Sequence, residues 1–171
     1  MNTSSGKLIV FEGPDGVGKT TLAHELVSHL RSNGIECEYI HMFAHMDVLE
    51  NQIIPKLKTG ISIVLDRFWW TTWVQSITSG TSKQELKLTL KVEQDKWNCT
   101  KPDVIFFIKA NRPHKPEEHN AQWYKTNASY KELVDNQELS YPIRVIGNDG
   151  DIISTINAIT EISLQVCKQM M

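Results

Sequence analysis

The residues that carry the clearest chemistry lie in the stretch FEGPDGVGKT, residues 11–20. Gly13 and Gly18 are separated by four residues, and Lys19 and Thr20 follow directly. The spacing G-x-x-x-x-G-K-[ST] is that of a phosphate-binding loop, in which backbone N–H groups point at the phosphates of a nucleotide. The lysine adds a cation on the β- and γ-phosphate oxygens, and the threonine hydroxyl can hold Mg²⁺. The predicted loop residues are Gly13, Asp15, Gly16, Val17, Gly18, Lys19, Thr20 and Thr21.

A second acidic residue closes the apolar run SIVLD, residues 62–66. A carboxylate at the carboxyl end of a strand, here Asp66, is placed to support Mg²⁺ together with Thr20. Arg67 follows directly, and ligands of parallel sheets bind beyond the carboxyl ends of the strands. The planar guanidinium of Arg67 can bind a phosphate through two parallel N–H groups. The alternative interpretation is a surface Asp–Arg pair without a function. The neighbouring phosphate loop favours the functional interpretation.

The remaining cations come from a polar segment, NRPHKPEEHNAQ, residues 111–122. Phosphoryl transfer needs cations that neutralise charge on the moving group. Two of the four arginines lie at the end of a predicted helix and within a predicted strand, which leaves Arg67 and Arg112. A long irregular connection in a compact domain is usually functional and often a lid, although a disordered insert is the alternative. We therefore expect a short lid at about 111–122 that carries Arg112, with Lys115 as a second candidate.

The elements that must position these residues alternate between apolar runs and segments of helical periodicity. The predicted strands are 8–11, 35–42, 61–66, 104–108 and 142–147, and the predicted helices are 19–32, about 47–58, 82–98, 123–137 and a last one from Asp151. Alternating strands and helices with apolar strands indicate a parallel sheet covered on both faces. No repeat or linker marks a second domain, so one domain over residues 1–171 is expected.

Composition argues against several classes of protein. The net charge of −2 argues against a protein whose main work is to neutralise a nucleic-acid backbone, although nucleic acid stays open as a partner. Cys37, Cys99 and Cys167 are widely spaced and form no C-x-x-C pair, which is typical of free thiols in a reducing compartment. The polar start MNTSSGK and the short apolar run behind it fit neither a signal peptide nor a membrane span. A soluble, cytoplasmic protein without a membrane partner is expected.

The phosphate loop alone does not identify a reaction, since GTPases, ATPases and kinases share it. A GTPase would need a base-reading N-K-x-D motif, which NRPH and NQEL do not fit. Motor and transport ATPases normally come with partner domains, for which 171 residues leave no room. The length therefore favours a small-molecule kinase.

Three motifs together resemble the thymidylate kinases: FEGPDGVGKTT, the strand end DRF and the strand KPDVIFFI. The resemblance covers nearly the whole chain, and the loop and DRF are its specific parts. It implies a three-layer α/β/α fold of the P-loop NTPase type with a five-stranded parallel sheet, often in a homodimer. It also implies ATP with Mg²⁺ as the donor. The implied acceptor is a deoxynucleoside monophosphate, either dTMP or a related pyrimidine nucleotide, including one with a modified base.

The same resemblance assigns roles to single residues. Lys19 and Thr20 match the positions on the ATP phosphates and Mg²⁺, Asp15 matches a carboxylate near the 3′-hydroxyl of the acceptor sugar, and Arg67 matches the arginine on the acceptor phosphate. Gly16 stands where some family members carry an arginine, which makes the lid cations more important. The predicted catalytic residues are Asp15, Lys19, Asp66, Arg67 and Arg112. The predicted acceptor-binding residues are Asp15, Phe43, Arg67, Phe68, Trp70 and Thr71.

The region after the second strand departs from the family pattern. YIHMFAHMD lacks the family's Arg-Glu-Pro, and its F-x-x-x-R element is at best Phe43 followed by Asp47. One arginine on the acceptor phosphate is therefore missing. A tryptophan from the cluster Trp69, Trp70 and Trp73 is a substitute for stacking on a base, but packing in the core is the favoured alternative.

Two enzymatic functions fit these residues. A monophosphate acceptor is already an anion and needs positioning and charge neutralisation rather than a general base. A hydroxyl acceptor, either a deoxynucleoside or a hydroxymethylated pyrimidine free or within DNA, benefits from a carboxylate base. Deoxynucleoside kinases carry Glu-Pro after the second strand, which is absent here, so Asp47 or Asp66 would have to serve. The monophosphate acceptor is favoured, and a non-enzymatic nucleotide-binding module or a pseudo-enzyme is the third alternative.

Overall fold

The structure, a computed structural model, describes residues 5–42, 45–137 and 140–168. The strands are β1 (Leu8–Glu12), β2 (Cys37–His41), β3 (Ser62–Asp66), β4 (Val104–Lys109) and β5 (Ile143–Gly147). The α-helices are α1 (Lys19–Ser32), α2 (His45–Val48), α3 (Ile54–Lys58), α4 (Trp69–Thr78), α5 (Lys83–Thr89), α6 (Lys91–Cys99), α7 (Ala121–Gln137) and α8 (Ile152–Lys168). A π-helical turn, Leu49–Ile53, joins α2 to α3, and a 3₁₀ turn, Pro116–Glu118, precedes α7.

The five strands form one parallel sheet in the order β2-β3-β1-β4-β5. The central strand β1 pairs with β3 in a register that sets Phe11 level with Asp66. The glycine loop after β1 and the Asp66-Arg67 pair at the end of β3 therefore lie side by side. This confirms the predicted α/β fold with a five-stranded parallel sheet.

The central strand is buried on both faces, which explains its continuous apolar run. Leu8 and Val10 pack into a core that includes residues of α4, α6 and α7. Ile9 and Phe11, which point the other way, pack into a second core with α1 and α8. Alternate side chains of a strand point to opposite faces, so both helical layers are needed to cover β1.

Three helical regions differ from the sequence-based prediction. The helix expected over 82–98 is divided at Leu90, whose ψ of −1° separates α5 from α6 while Leu86, Leu90 and Trp97 stay buried in one core. The helix near 47–58 contains a π-helical turn. Helix α4 was not predicted, because its sequence WWTTWVQSIT is rich in β-branched and aromatic residues that have a modest helix propensity.

Two composition-based expectations can be compared with the described part of the chain. Cys37, Cys99 and Cys167 are all free thiols. Among the described residues, no helix has both the length and the apolar character that a membrane crossing requires.

Candidate active site

The phosphate loop connects the end of β1 to the first turn of α1. Gly18 has φ 88°, in the left-handed region, and provides no side-chain cap for α1. A Cβ atom at Gly18 would lie 2.7 Å from Nδ2 of Asn148, so the backbone of the loop and the β5–α8 connection approach each other closely. The uncapped N–H groups at the start of α1 are donors that an anion can use.

Lys19 is folded back into the loop and is only 5% exposed. Its Nζ donates to the carbonyl oxygen of Pro14 at 2.5 Å and lies 4.0 Å from a carboxylate oxygen of Asp15. Burial, followed by the charge of Arg67, lowers the pKa of Lys19. The ammonium group is therefore held within the loop by a carbonyl and a carboxylate, both of which a phosphate can replace.

Thr20 and Asp66, the predicted metal pair, are in direct contact. The Thr20 hydroxyl donates to Oδ2 of Asp66 at 2.6 Å, and Oδ2 also accepts from the Tyr39 hydroxyl at 2.9 Å. Nδ1 of His41 lies 3.2 Å from the same oxygen. Asp66 is fully buried, and its second oxygen, Oδ1, has no hydrogen-bond partner among the described residues. A buried carboxylate oxygen with free lone pairs beside a threonine hydroxyl fits a hydrated Mg²⁺.

The backbone of Arg67 is in the left-handed region, with φ 82°. Among the described residues, it is the one residue other than glycine with a positive φ. This conformation turns its side chain toward the phosphate loop, where Nη2 donates to Oδ1 of Asp15 at 2.7 Å. Its backbone N–H donates to the carbonyl oxygen of Phe11 at 3.0 Å. Partial burial alone would raise the pKa of Asp15, because burial disfavours a charged carboxylate. The adjacent guanidinium of Arg67 outweighs this effect, so the pKa of Asp15 is lowered. A strained residue held by its surroundings is typical of functional sites.

Two cavities meet at the Asp15–Arg67 pair. The first, of about 460 Å³, lies on the phosphate loop, and the second, of about 320 Å³, lies between α4 and α7. Besides the shared pair, the first is lined by Gly16, Gly18, Lys19, Thr20, Thr21, His114, Lys115 and Glu118. The second is lined by Gln75, Thr78, Ser79, Gln122, Thr126 and Tyr130. A donor and an acceptor can therefore lie on opposite sides of one ion pair.

The lid segment lies against the phosphate loop. The backbone N–H of His114 donates to the carbonyl oxygen of Gly16 at 2.8 Å, and its Nε2 donates to that of Asn148 at 2.7 Å. Lys115 lines the cavity on the loop, whereas Arg112 is exposed. Arg112 lines a neighbouring cavity of about 660 Å³ together with Gly18 and Thr21. Both predicted lid cations therefore face space beside the loop, and movement of the lid stays a prediction.

The predicted acceptor residues divide into two groups. Asp15 and Arg67 line the second cavity, but Phe68 and Trp70 are fully buried in the core, where Phe68 packs against Trp97 at 4.7 Å between ring centroids. These two rings have no exposed surface for a substrate, so the expectation that they contact the acceptor is corrected to core packing. Thr71 is 6% exposed and bonded within the protein. Phe43 lies outside the described residues.

One residue at the centre of the site, Glu12, was missed by the sequence-based prediction. It is fully buried beside Lys19, and its carboxylate accepts from the backbone N–H groups of Gly13, Phe68 and Thr71. Burial raises its pKa, and the positive charge of Lys19 opposes that effect. The signal was present, because an acid closes the apolar run LIVFE in the way that Asp66 closes SIVLD.

The loop, the two cavities and the ion pair together fit a nucleotide kinase of the P-loop class, and comparison with known proteins supports this class. A curated thymidylate kinase from Leptospira borgpetersenii is 24% identical over 177 aligned residues, which cover 83% of this chain and 84% of the relative. The solved thymidylate kinase from Ehrlichia chaffeensis superposes with a TM-score of 0.64 at 17% identity, over 96% of this chain and all of that chain. The thymidylate kinase from Candida albicans gives the same TM-score at 18% identity, over 96% and 94% of the two chains. No family model matches the chain.

The chain is thus a thymidylate kinase-like protein, as the motifs predict. Its homologues support an ATP-dependent nucleoside monophosphate kinase. At these identities, dTMP as the acceptor is only suggested.

Proposed function

We propose that the protein transfers the γ-phosphate of ATP to a deoxynucleoside monophosphate, with dTMP or a related pyrimidine as the acceptor. Curated relatives named thymidylate kinase support the reaction type. The residues of the cavities support the division into a donor side and an acceptor side. We further propose that one domain carries both sites and that residues of the lid complete the donor side.

The observation that carries the proposal is the shared position of Asp15 and Arg67. The Nη2 and Oδ1 atoms of this pair are 2.7 Å apart, and the pair lines both the cavity on the phosphate loop and the cavity between α4 and α7. An acceptor phosphate bound by Arg67 would meet the γ-phosphate of ATP at this boundary. Direct transfer between two bound phosphates depends on such positioning, because the acceptor is already a nucleophilic anion.

The protein groups act by holding charge in place. Lys19 and the N–H groups at the start of α1 would bind the β- and γ-phosphates, and Arg67 would release Asp15 to bind the acceptor phosphate with both arms of its guanidinium. Asp15, freed from Arg67, would then face the acceptor sugar. Thr20 and Asp66 would hold Mg²⁺, which would neutralise charge on the bridging phosphate oxygens.

The second cavity supports a nucleotide acceptor with a polar base. Its lining includes two residues with amide side chains, Gln75 on α4 and Gln122 on α7, and two threonines, Thr78 and Thr126. Amides can donate and accept at once, as the edge of a pyrimidine requires. The cavity of about 320 Å³ is at the lower end of the usual range for small-ligand sites.

Among the described carboxylates near the site, the three candidates Asp66, Asp47 and Asp15 are poorly suited to act as the base that the hydroxyl-acceptor alternative needs. Asp66 is buried and accepts three neighbouring groups, whereas Asp47 is exposed and accepts from Nδ2 of Asn51 at 2.7 Å. Asp15 pairs with Arg67, which lowers its pKa and makes it a poor proton acceptor.

The proposal is tested with a panel of deoxynucleosides, deoxynucleoside monophosphates and single-stranded DNA. ATP consumption is measured with each acceptor, and the product is identified by mass. We expect turnover with monophosphates, fastest with pyrimidines, and none with nucleosides. Lys19→Ala, purified in the same way, controls for a contaminating kinase because it removes the cation on the β- and γ-phosphates. Turnover confined to nucleosides or DNA would overturn the proposal.

A further inference from the structure

Glu12 has a contact set that the proposed chemistry does not use. Its Oε1 accepts from the backbone N–H of Phe68 at 2.7 Å and of Thr71 at 3.0 Å, and its Oε2 accepts from the N–H of Gly13 at 3.1 Å. The Thr71 hydroxyl lies 3.1 and 3.2 Å from the two oxygens. The side chain is fully buried. A carboxylate without access to water, surrounded by hydrogen-bond donors, is expensive to bury and is expected to have a specific task.

These contacts join two segments that are far apart in sequence. Gly13 begins the phosphate loop, whereas Phe68 and Thr71 begin helix α4, more than fifty residues later. Phe68 is the residue before the first turn of α4 and provides no side-chain cap. Glu12 therefore caps a helix from a neighbouring strand, and its negative charge is favourable at that helix end.

The residue proposed to bind the acceptor phosphate, Arg67, directly precedes this capped segment. Arg67 precedes Phe68, its φ is 82°, and its N–H is bonded to Phe11, the neighbour of Glu12 in β1. Left-handed backbone at a long side chain persists only when its surroundings fix it on both sides. Phe11 fixes Arg67 itself, and Glu12 fixes the next residue.

We propose that Glu12 is a positioning residue that sets the phosphate loop and the acceptor arginine at a fixed separation. This inference rests on the proposed function, because it assigns Glu12 a task in the transfer between two bound phosphates. Through Gly13 it holds the start of the donor loop, and through Phe68 it holds the backbone that aims Arg67. The Thr71 hydroxyl lies 3.1 Å from that of buried Tyr130, so the same contact reaches the wall of the acceptor cavity.

The sharpest test is Glu12→Gln, which keeps the shape but replaces one acceptor oxygen with an N–H₂ donor. That donor must face either Gly13 or the N–H groups of α4, and two donors cannot bond. We expect kcat/KM for the acceptor to fall about 10²-fold, since a displacement of about 1 Å has this effect on a positioned reaction. We expect the acceptor KM to rise, whereas the ATP Kd, measured by calorimetry, should change less than about threefold. Glu93→Gln, at another buried glutamate on α6, is the matched control and leaves both values unchanged.

A purely structural role would lower the fraction of active protein and leave both KM values unchanged. The inference is overturned if Glu12→Gln keeps the wild-type acceptor KM and kcat per active site, or if Glu93→Gln has the same effect. If Glu12→Gln does not fold, Thr71→Val decides, with Tyr130→Phe as its control, because the Thr71 hydroxyl contacts both the carboxylate and the Tyr130 hydroxyl and Tyr130→Phe removes only the second contact. The acceptor KM of Thr71→Val should rise about tenfold, as expected for a lost hydrogen bond to a charged group, and an unchanged value overturns the inference. A wild-type protein without turnover on any monophosphate would instead refute the proposed function.

Discussion

The Arg67→Ala variant tests the division between donor and acceptor sides most directly. In the structure, the Arg67 guanidinium binds Asp15, whose side chain is 60% exposed. Removal of the arginine therefore leaves a carboxylate that water can solvate, so no buried charge loses its partner. We expect little change in folding stability and a large change in acceptor binding.

The magnitude follows from the type of contact. A two-armed charged contact with the acceptor phosphate is worth roughly 2–4 kcal/mol. At about 1.4 kcal/mol for each factor of ten, kcat/KM for the acceptor should fall about 30- to 10³-fold. The loss should appear as a higher acceptor KM and a lower kcat, because the phosphate is both held and oriented by the guanidinium. Arg67→Lys should recover part of the loss, since lysine keeps the charge but lacks the fork.

The assay measures turnover against acceptor concentration at saturating ATP, with the ATP Kd measured by calorimetry. Arg67→Gly adds a control for the backbone, because glycine adopts φ 82° without strain and should melt above Arg67→Ala by the equivalent of about 1 kcal/mol. Both variants should lose acceptor binding equally. An ATP affinity that falls as much as the acceptor affinity would assign Arg67 to the donor site and refute the reasoning.

Three further outcomes are expected. If the lid carries Arg112 onto the phosphates, Arg112→Ala should lower kcat about 10³-fold with little change in the ATP Kd. The control is Arg144→Ala, at an exposed arginine of β5, which should change neither kcat nor the ATP Kd. Normal turnover by Arg112→Ala would exclude the lid assignment. Asp66→Asn should raise the Mg²⁺ concentration for half-maximal activity by about tenfold or more, as expected for a group that supports a metal through water, while ATP binding without Mg²⁺ stays unchanged. Burial raises the pKa of Glu12 above its usual value of 4.5. The contribution of Glu12 to the free energy of unfolding therefore falls as the pH rises from 4.5 through the raised pKa. Denaturation curves of the wild type and of Glu12→Gln, measured between pH 4 and 8, should differ by this pH dependence. Parallel curves would contradict the buried, titrating carboxylate.

The parts of the molecule that follow from sequence pattern are those with strong local signals. The glycine loop, helix α1 and all five strands were predicted because apolar runs and the motif spacing specify them without reference to the rest of the chain. The assignment of Thr20 and Asp66 to one Mg²⁺ used one further rule, that ligands of parallel sheets bind beyond the carboxyl ends of the strands.

The parts that did not follow depend on contacts between distant segments. Phe68 and Trp70 follow Arg67, the arginine proposed to bind the acceptor phosphate, and nothing local distinguishes a ring that stacks on a base from one that packs in the core, as Phe68 does against Trp97. The division of 82–98 at Leu90 likewise depends on the core that both helices must cover. Glu12 was overlooked because the glycine loop beside it supplied a sufficient explanation for the motif.

Glu12 and Asp66 are related in a way that the pairing of their strands explains. Each acid closes a buried strand, and each accepts a hydrogen bond from the helix that follows the neighbouring strand. Glu12, at the end of β1, contacts the start of α4 after β3, and Asp66, at the end of β3, contacts Thr20 in α1 after β1. Each loop is therefore tied to the neighbouring strand, and we expect a shift of one loop to disturb the other. Because the phosphate loop and Arg67 follow these two strands, we expect this crossed pair of carboxylates to set the distance between the two proposed phosphate sites.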